Sequence, residues 1–261
     1  MIDFPALVGV IHLPPLPGSP RFGGDLDAVV ARAASDAMAL RDAGFDAMML
    51  ENFGDAPFVP ERVAPVTVAC MARCALAARD AAPGLPMGIN VLRNDAEAAL
   101  SVAVGVGAAF IRVNVHVGAR VTDQGLIGGR AHETLRLRRA LGAESVRLFC
   151  DVDVKHSAPL APRALTDETE ELVGRGLADA VLITGAGTGK SVGVAELDLV
   201  ADAADVPVYV ASGATPDDLS RLERAFGLVV GSALRASGRA GDPIDLGRAR
   251  AFVEAFRRAR G

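Results

Sequence analysis

Polar side chains capable of chemistry recur where apolar runs of this chain end. His12 lies near the end of Leu7–Leu13, Glu51 near the end of Asp46–Asn52, and Asn90 within Met87–Leu92. Arg112 and Asn114 belong to Phe110–His116, and Asp151, Asp153 and Lys155 to the end of Val146–Val154 and the residue after it. Side chains alternate along a strand, so residues of like parity share a direction. By that rule Val8, Val10 and His12 line up, as do Met49 with Glu51, Gly88 with Asn90, Arg112 with Asn114 and His116, and Asp151 with Asp153 and Lys155. An unpaired charge is expensive to bury. Gathered in one mouth, such groups satisfy one another and shift each other's pKa values.

The chemistry expected of them is proton transfer. Glu51 with Asp151 or Asp153 would move protons, and His12 would act as acid or hydrogen-bond donor. Lys155 would join the transfer, or form a Schiff base if burial lowers its pKa. Asn90, Arg112, Asn114 and Thr184 would position hydroxyls or an oxyanion. Structural alternatives stand beside each role: a satisfied core histidine at position 12, a Glu51–Arg112 salt bridge across the mouth, and an internal Asp–Lys pair. His12, Glu51 and Asp151 are acceptable ligand types for a divalent metal, but no HxH or HxxxH spacing supports them. No cofactor is expected, and the metal is the weaker alternative.

The stretch Val206–Arg235 supplies a handle for a ligand. Its two apolar runs end in small residues, Ser212-Gly213 and Gly231-Ser232. Backbone N–H groups at such loop ends can hold a phosphate dianion, and in (β/α)8 barrels the loops after the seventh and eighth strands often do so. Between the runs Thr215, Pro216 and Asp218 read as the start of an amphipathic helix. Thr184-Gly185-Ala186-Gly187-Thr188-Gly189-Lys190-Ser191 looks like a P-loop, but Thr184 stands where that motif has glycine. It reads better as a glycine-rich lid over the same mouth, with Lys190 available to an anion.

These positions require a scaffold, and the whole chain, residues 1–261, reads as one. Eight apolar runs, the five above with Ala180–Thr184, Val208–Ser212 and Leu228–Ser232, alternate with helical patterns. Asp25–Ala43 carries a stripe of Leu26, Val29, Val30, Ala33, Ala37 and Leu40, Asn94 is placed to cap the third helix, and Asp245 starts the last. Eight such units in 261 residues predict a single closed (β/α)8 TIM barrel rather than an open sheet. Connections from helix to strand are short, whereas 14–24, 53–63, 117–130, 156–165 and 185–194, from strand to helix, are long. Long loops on one face point to function there.

Composition excludes some partners. A formal net charge of −5 argues against nucleic acid, and no stretch is long and apolar enough for insertion in a membrane. Cys70, Cys74 and Cys150 form no paired framework and read as buried thiols in a reducing cytoplasm. The helix bearing Cys70 and Cys74 is apolar around much of its girth, a lean toward a homo-oligomer.

Five strings carry a resemblance over nearly the whole chain: Val10-Ile11-His12-Leu13-Pro14-Pro15-Leu16-Pro17-Gly18, Glu51-Asn52-Phe53-Gly54-Asp55-Ala56-Pro57-Phe58, Gly88-Ile89-Asn90-Val91-Leu92-Arg93-Asn94, Ile111-Arg112-Val113-Asn114 and Asp151-Val152-Asp153-Val154-Lys155-His156-Ser157. With them the sequence resembles the BtpA/SgcQ family. The resemblance implies a barrel related to the ribulose-phosphate-binding group. One branch of the family is linked to photosystem I biogenesis and another to sugar-utilisation gene clusters. The expectation is an enzyme acting on a phosphorylated sugar or nucleoside-like metabolite by acid–base chemistry, as isomerase, epimerase or lyase. The alternative is a non-catalytic assembly factor for a membrane complex.

Overall fold

The computed structural model describes residues 4–185 and 192–261. Eight strands close into a barrel: β1 (Leu7–His12), β2 (Ala47–Glu51), β3 (Met87–Asn90), β4 (Phe110–Val113), β7 (Arg147–Val152), β9 (Ala180–Ile183), β10 (Val208–Ala211) and β11 (Gly227–Val230). Their neighbours run in parallel in the order β1-β11-β10-β9-β7-β4-β3-β2. The helices are α1 (Leu26–Ala43), α2 (Pro65–Ala81), α3 (Ala96–Val106), α4 (Ala131–Ala140), α5 (Leu165–Gly174), α6 (Val194–Ala203) and α7 (Leu246–Arg260). This is the expected (β/α)8 TIM barrel.

Two cores hold it together. The outer one packs the apolar stripes of the helices on the strands, as Ala33, Ala37 and Leu40 of α1 pack near Ile11 and Leu50. The inner one fills the barrel with Val8, Val10, Met49, Phe110, Phe149 and Tyr209. Phe110 stacks on Phe149 at 4.5 Å between centroids, and Phe149 lies 5.0 Å from Tyr209. Gly88 makes room for this stack, because a Cβ there would fall 2.0 Å from the Phe110 ring. With no tryptophan in the chain, these rings supply the bulk at the barrel axis.

Local chemistry sets the helix starts. Asp25 and Asp245 cap α1 and α7 by accepting from Ala28 and Arg248 N–H groups. The cap of α3 is Asp95, which accepts from Ala98 N–H, and not Asn94. Asn94 instead exchanges two hydrogen bonds with the backbone of Val115 and so pins the end of β4.

The helix expected after Thr215 is a six-residue 3-10 helix, Pro216–Arg221. Its start is as expected, with the Asp218 carboxylate accepting from Thr215 N and Oγ1. Leu219 is its one buried residue, which gives it little apolar face to anchor an α-helix, and Leu222 and Ala225 are buried beyond its end.

Two of the long loops have structure of their own. β5 (Ala119–Thr122) and β6 (Gly125–Gly128) form a hairpin after β4, and β8 (Ser157–Pro159) from the loop after β7 pairs antiparallel with β5. The result is a small sheet, β6-β5-β8, on the carboxyl-terminal face. Among the described residues no helix is long and apolar enough to cross a membrane.

Candidate functional site

The carboxyl ends of the first four barrel strands set four polar residues side by side. In the strand register His12 is opposite Glu51, Glu51 opposite Asn90 and Asn90 opposite Arg112. The layer beneath is apolar, with Val10 opposite Met49, Met49 opposite Gly88 and Gly88 opposite Phe110. The period-2 alternation of each strand therefore stops at one level, and a polar layer caps a greasy one.

His12 and Glu51 form a buried pair. His12 Nε2 donates to Glu51 Oε1 at 3.2 Å, and Asn90 Nδ2 donates to Oε2 at 3.0 Å. The other ring nitrogen, Nδ1, accepts from the backbone N–H of Gly241 at 3.2 Å. That contact fixes the tautomer with the proton on Nε2. Burial pushes the His12 pKa down and outweighs the pull of Glu51, so the ring is neutral at pH 7. Burial works the other way on Glu51, yet the hydrogen bond from His12 and the nearby Arg112 and Lys155 charges bring its carboxyl down to about 2. At pH 7 the pair is thus a neutral imidazole donating to a carboxylate.

Asp151 is taken by a second pair. Arg112 grips it with a fork, Nε to Oδ1 and Nη2 to Oδ2, both at 2.9 Å, and Asn114 Nδ2 adds 2.8 Å to Oδ2. The structure therefore joins Arg112 to Asp151, and the Glu51–Arg112 salt bridge considered from sequence is not formed. A carboxylate held this way is a counter-ion rather than a free base.

Asp153 is not in the mouth. The strand ends at Val152, Asp153 adopts φ 49°, and its half-exposed carboxylate turns to Arg120 Nη1 at 2.7 Å. Alternation holds only while the chain is a strand, which is why parity misplaces Asp153. His116 also departs from the row, its Nε2 meeting the Gly176 carbonyl at 2.8 Å. Thr184 acts on the backbone: its Oγ1 accepts from Lys155 N at 2.8 Å and so fixes the turn that carries the lysine.

Lys155 comes back over the mouth. With His12, Glu51, Arg112, Ser212 and Ser232 it lines a cavity of about 390 Å³, counting its opening to solvent. Nζ donates to Ser212 Oγ at 3.3 Å, and no carboxylate oxygen of the described residues lies within 4.0 Å of it. Burial, and then the Arg112 guanidinium, lower its pKa. Three cations, Arg93, Arg112 and Lys155, act on one another here against two carboxylates, Glu51 and Asp151. With the amine protonated these five groups carry one net positive charge, in a chain of net charge −5.

Opposite Lys155 stand the loops after β10 and β11. Ser212 and Gly213 both take left-handed backbone, φ 94° and 78°. Such a conformation is unusual for serine and is a feature that functional sites tolerate. Gly231 touches the pair from below: a Cβ on it would lie 3.0 Å from His12 Cε1. Gly187, Lys190 and the rest of 186–191, read from sequence as a lid, lie outside the described residues.

A family model described as the BtpA family matches residues 4–258. The chain belongs to the BtpA family. It is 47% identical to a Thermococcus kodakarensis protein, over 95% of this chain and 94% of the relative. It is 45% identical to the photosystem I biogenesis protein BtpA of Synechocystis, over 96% of this chain and 87% of that one. Among solved structures, thiamine phosphate pyrophosphorylase from Pyrococcus furiosus superposes with a TM-score of 0.61 over 98% of each chain, at 12% identity. At that identity the likeness concerns the barrel alone. In this BtpA family chain, the strings that mark the resemblance put His12, Glu51, Asn90 and Arg112 in their row, joined by the string from Asp151 to Lys155.

Several residues that build the site carry no sequence signal. Arg235 is wholly buried behind the Gly231 loop, donating to the carbonyls of Val10 (2.8 Å), Gly231 (2.7 Å) and Asp242 (3.2 Å). Burial lowers its pKa to about 10, so it is still charged at neutral pH. Asp36 of α1 accepts from Ile244 N–H and from Arg32, whose Nη2 also donates to the Gly241 carbonyl. Together they hold the 241–244 strap that fixes His12. The only hint was a carboxylate inside the apolar stripe of α1. Phe53 packs its ring 4.5 Å from that of His12. A further cavity between α3 and α4 is rimmed by Arg62, Glu97, Arg130 and Glu133, which already pair among themselves.

The metal-ligand set considered from sequence is not assembled. Among the described residues no three His, Cys, Asp or Glu side chains cluster as ligands, and His12 and Asp151 each spend their polar atoms on protein partners. The cysteines are buried, with burial pushing the Cys74 thiol up to about 12. Cys74 faces the core, while Val66 and Leu76 of α2 are left outward.

Proposed function

We propose that this chain is an enzyme that binds a phosphorylated small molecule in the barrel mouth and moves a proton on it with Lys155. The observation that carries the reading is the lysine itself: an amine lining the cavity, with no carboxylate partner among the described residues, in a surplus of positive charge. A phosphate dianion complements that surplus, and the Ser212 and Ser232 hydroxyls with the Gly231-Ser232 backbone line the cavity that would take it. Holding the ligand by its phosphate leaves the remote binding energy to orient the reacting atoms. Glu51, ionised and locked by His12 and Asn90, stabilises positive charge that develops beside it. A proton carrier works best with a pKa near the working pH, and burial moves Lys155 in that direction. Isomerisation, epimerisation and bond cleavage next to a carbonyl all fit this set of groups. Buried thiols with raised pKa values suit a reducing cytoplasm.

The test is a ligand panel. The chain has no tryptophan and one tyrosine, so melts are followed by far-ultraviolet circular dichroism, with inorganic phosphate, triose phosphates, pentose phosphates and nucleoside monophosphates as probes. A ligand at a hundred times its Kd adds about 2.7 kcal/mol, and Lys155→Met should remove that gain while melting as a folded protein. A second reading follows from the name of the Synechocystis relative, in which the barrel is an assembly factor. No stabilisation by any probe, together with a stable protein complex on pull-down, would select it.

A further inference from the structure

The chain carries 27 basic residues, and only two, Lys155 and Lys190, are lysine; the other 25 are arginine. Ion pairs and carbonyl clamps are assigned to arginine here, as at Arg112, Arg120 and Arg235. An arginine in place of Lys155 would supply the same charge and a better phosphate fork. It could not lose a proton and attack a carbon, because guanidinium stays protonated in proteins. The lysine in the mouth therefore offers what arginine cannot, a nucleophilic amine.

We propose that Lys155 forms a Schiff base with a carbonyl carbon of the phosphorylated ligand, so that the substrate class is a short phosphorylated aldehyde or ketone. The inference rests on the phosphate reading above and gives Lys155 the part of nucleophile in place of proton carrier. In the step, the unprotonated Nζ attacks the carbonyl carbon, a C–N bond forms and the oxygen takes a proton to give a carbinolamine. Loss of that oxygen as water, with one more proton, leaves a protonated imine, and hydrolysis later returns both. The imine is the electron sink for proton abstraction or bond cleavage at the neighbouring carbon.

The geometry supports each part. Among the described residues Nζ meets Ser212 Oγ, at 3.3 Å, and is not tied to a carboxylate. The Ser212 N–H donates to the Val229 carbonyl at 3.2 Å, which holds the backbone that carries the hydroxyl, and the hydroxyl beside Nζ can pass protons to and from the carbinolamine oxygen. Glu51 lies on the same cavity and offsets the charge of the imine. The contact with Ser212 also limits the ligand. From Nζ through Ser212 Oγ to a phosphate oxygen is two hydrogen-bond lengths, roughly 6 Å. The carbonyl must then lie within about two carbons of the phosphoester, as in triose phosphates, and not at the far end of a pentose 5-phosphate.

The experiment is reductive trapping. The whole chain is incubated with dihydroxyacetone phosphate, glyceraldehyde 3-phosphate or ribose 5-phosphate, reduced with sodium borohydride, and mapped by peptide mass spectrometry. The expected result is a stoichiometric secondary-amine adduct at Lys155 with a triose phosphate, little with ribose 5-phosphate, and none at that position in Lys155→Met. Ser212→Ala should trap at least about tenfold more slowly while melting like the parent. Stabilisation by a triose phosphate with no adduct at Lys155 overturns the Schiff base and leaves the phosphate reading standing. An adduct confined to Lys190 overturns it too. Absence of both adduct and stabilisation brings down the proposed function with it.

Discussion

Replacing Glu51 by glutamine isolates the charge at the centre of the polar row. The substituted side chain can still accept from His12 Nε2 through its carbonyl oxygen. Its amide would face the Asn90 amide, but Asn90 Oδ1 is buried without a partner, so a half-turn of the Asn90 amide restores that bond in reverse. What is lost is the anion. Glu51 falls from an ordinary value of 4.5 to about 2 in the folded chain. A depressed carboxylate pKa stabilises the fold above the unfolded value and loses that contribution as pH falls through the folded one. At 1.36 kcal/mol per unit the contribution is about 3 kcal/mol at pH 7, and at pH 3, between the two values, roughly 1 kcal/mol. The assay is urea denaturation of wild type and Glu51→Gln from pH 7 down to pH 3. The difference between the two should stay level above about pH 5 and shrink toward acid. A difference that is flat with pH, or a variant more stable than wild type at pH 7, would refute the account of this pair.

Two further variants probe what holds the row. Gly231→Ala sets a Cβ 3.0 Å from His12 Cε1 and 3.3 Å from Nε2. It should lower stability by about 1–3 kcal/mol and abolish stabilisation by the phosphate panel, checked in the same circular dichroism melts. Arg235→Met removes three hydrogen bonds to carbonyls from a fully buried site. It should cost about 3 kcal/mol or more in urea denaturation, and the His12 ring signals in NMR should shift as the 241–244 strap loosens.

The strands were readable because each is an apolar run bounded by turn residues, and the long loops reported which end of the barrel is the working one. The row from His12 to Arg112 was readable for the same reason: inside a strand, parity is direction. The reading failed where the chain stops being a strand. Asp153 is one residue beyond β7 and turns to Arg120, whereas Lys155, also beyond it, returns to the mouth only because Thr184 and Arg93 hold its backbone. Partner choice was likewise not legible. Whether Arg112 would take Glu51 or Asp151 depends on the lateral offset of β4 and β7, and His12's tautomer depends on a backbone N–H 229 residues away in sequence.

The register that lines up His12, Glu51, Asn90 and Arg112 also divides the barrel into unlike halves. Strands β1 to β4 bring the charged and amide side chains, while β10 and β11 bring hydroxyl, glycine and backbone, with Lys155 standing at the seam. Under the proposed function, a change at Phe53, which lines the cavity beside His12, would meet the variable part of a ligand and leave its anchor untouched. Descendants of one such chain could therefore trade substrates by altering one side of the mouth, without having to reinvent the grip on the other.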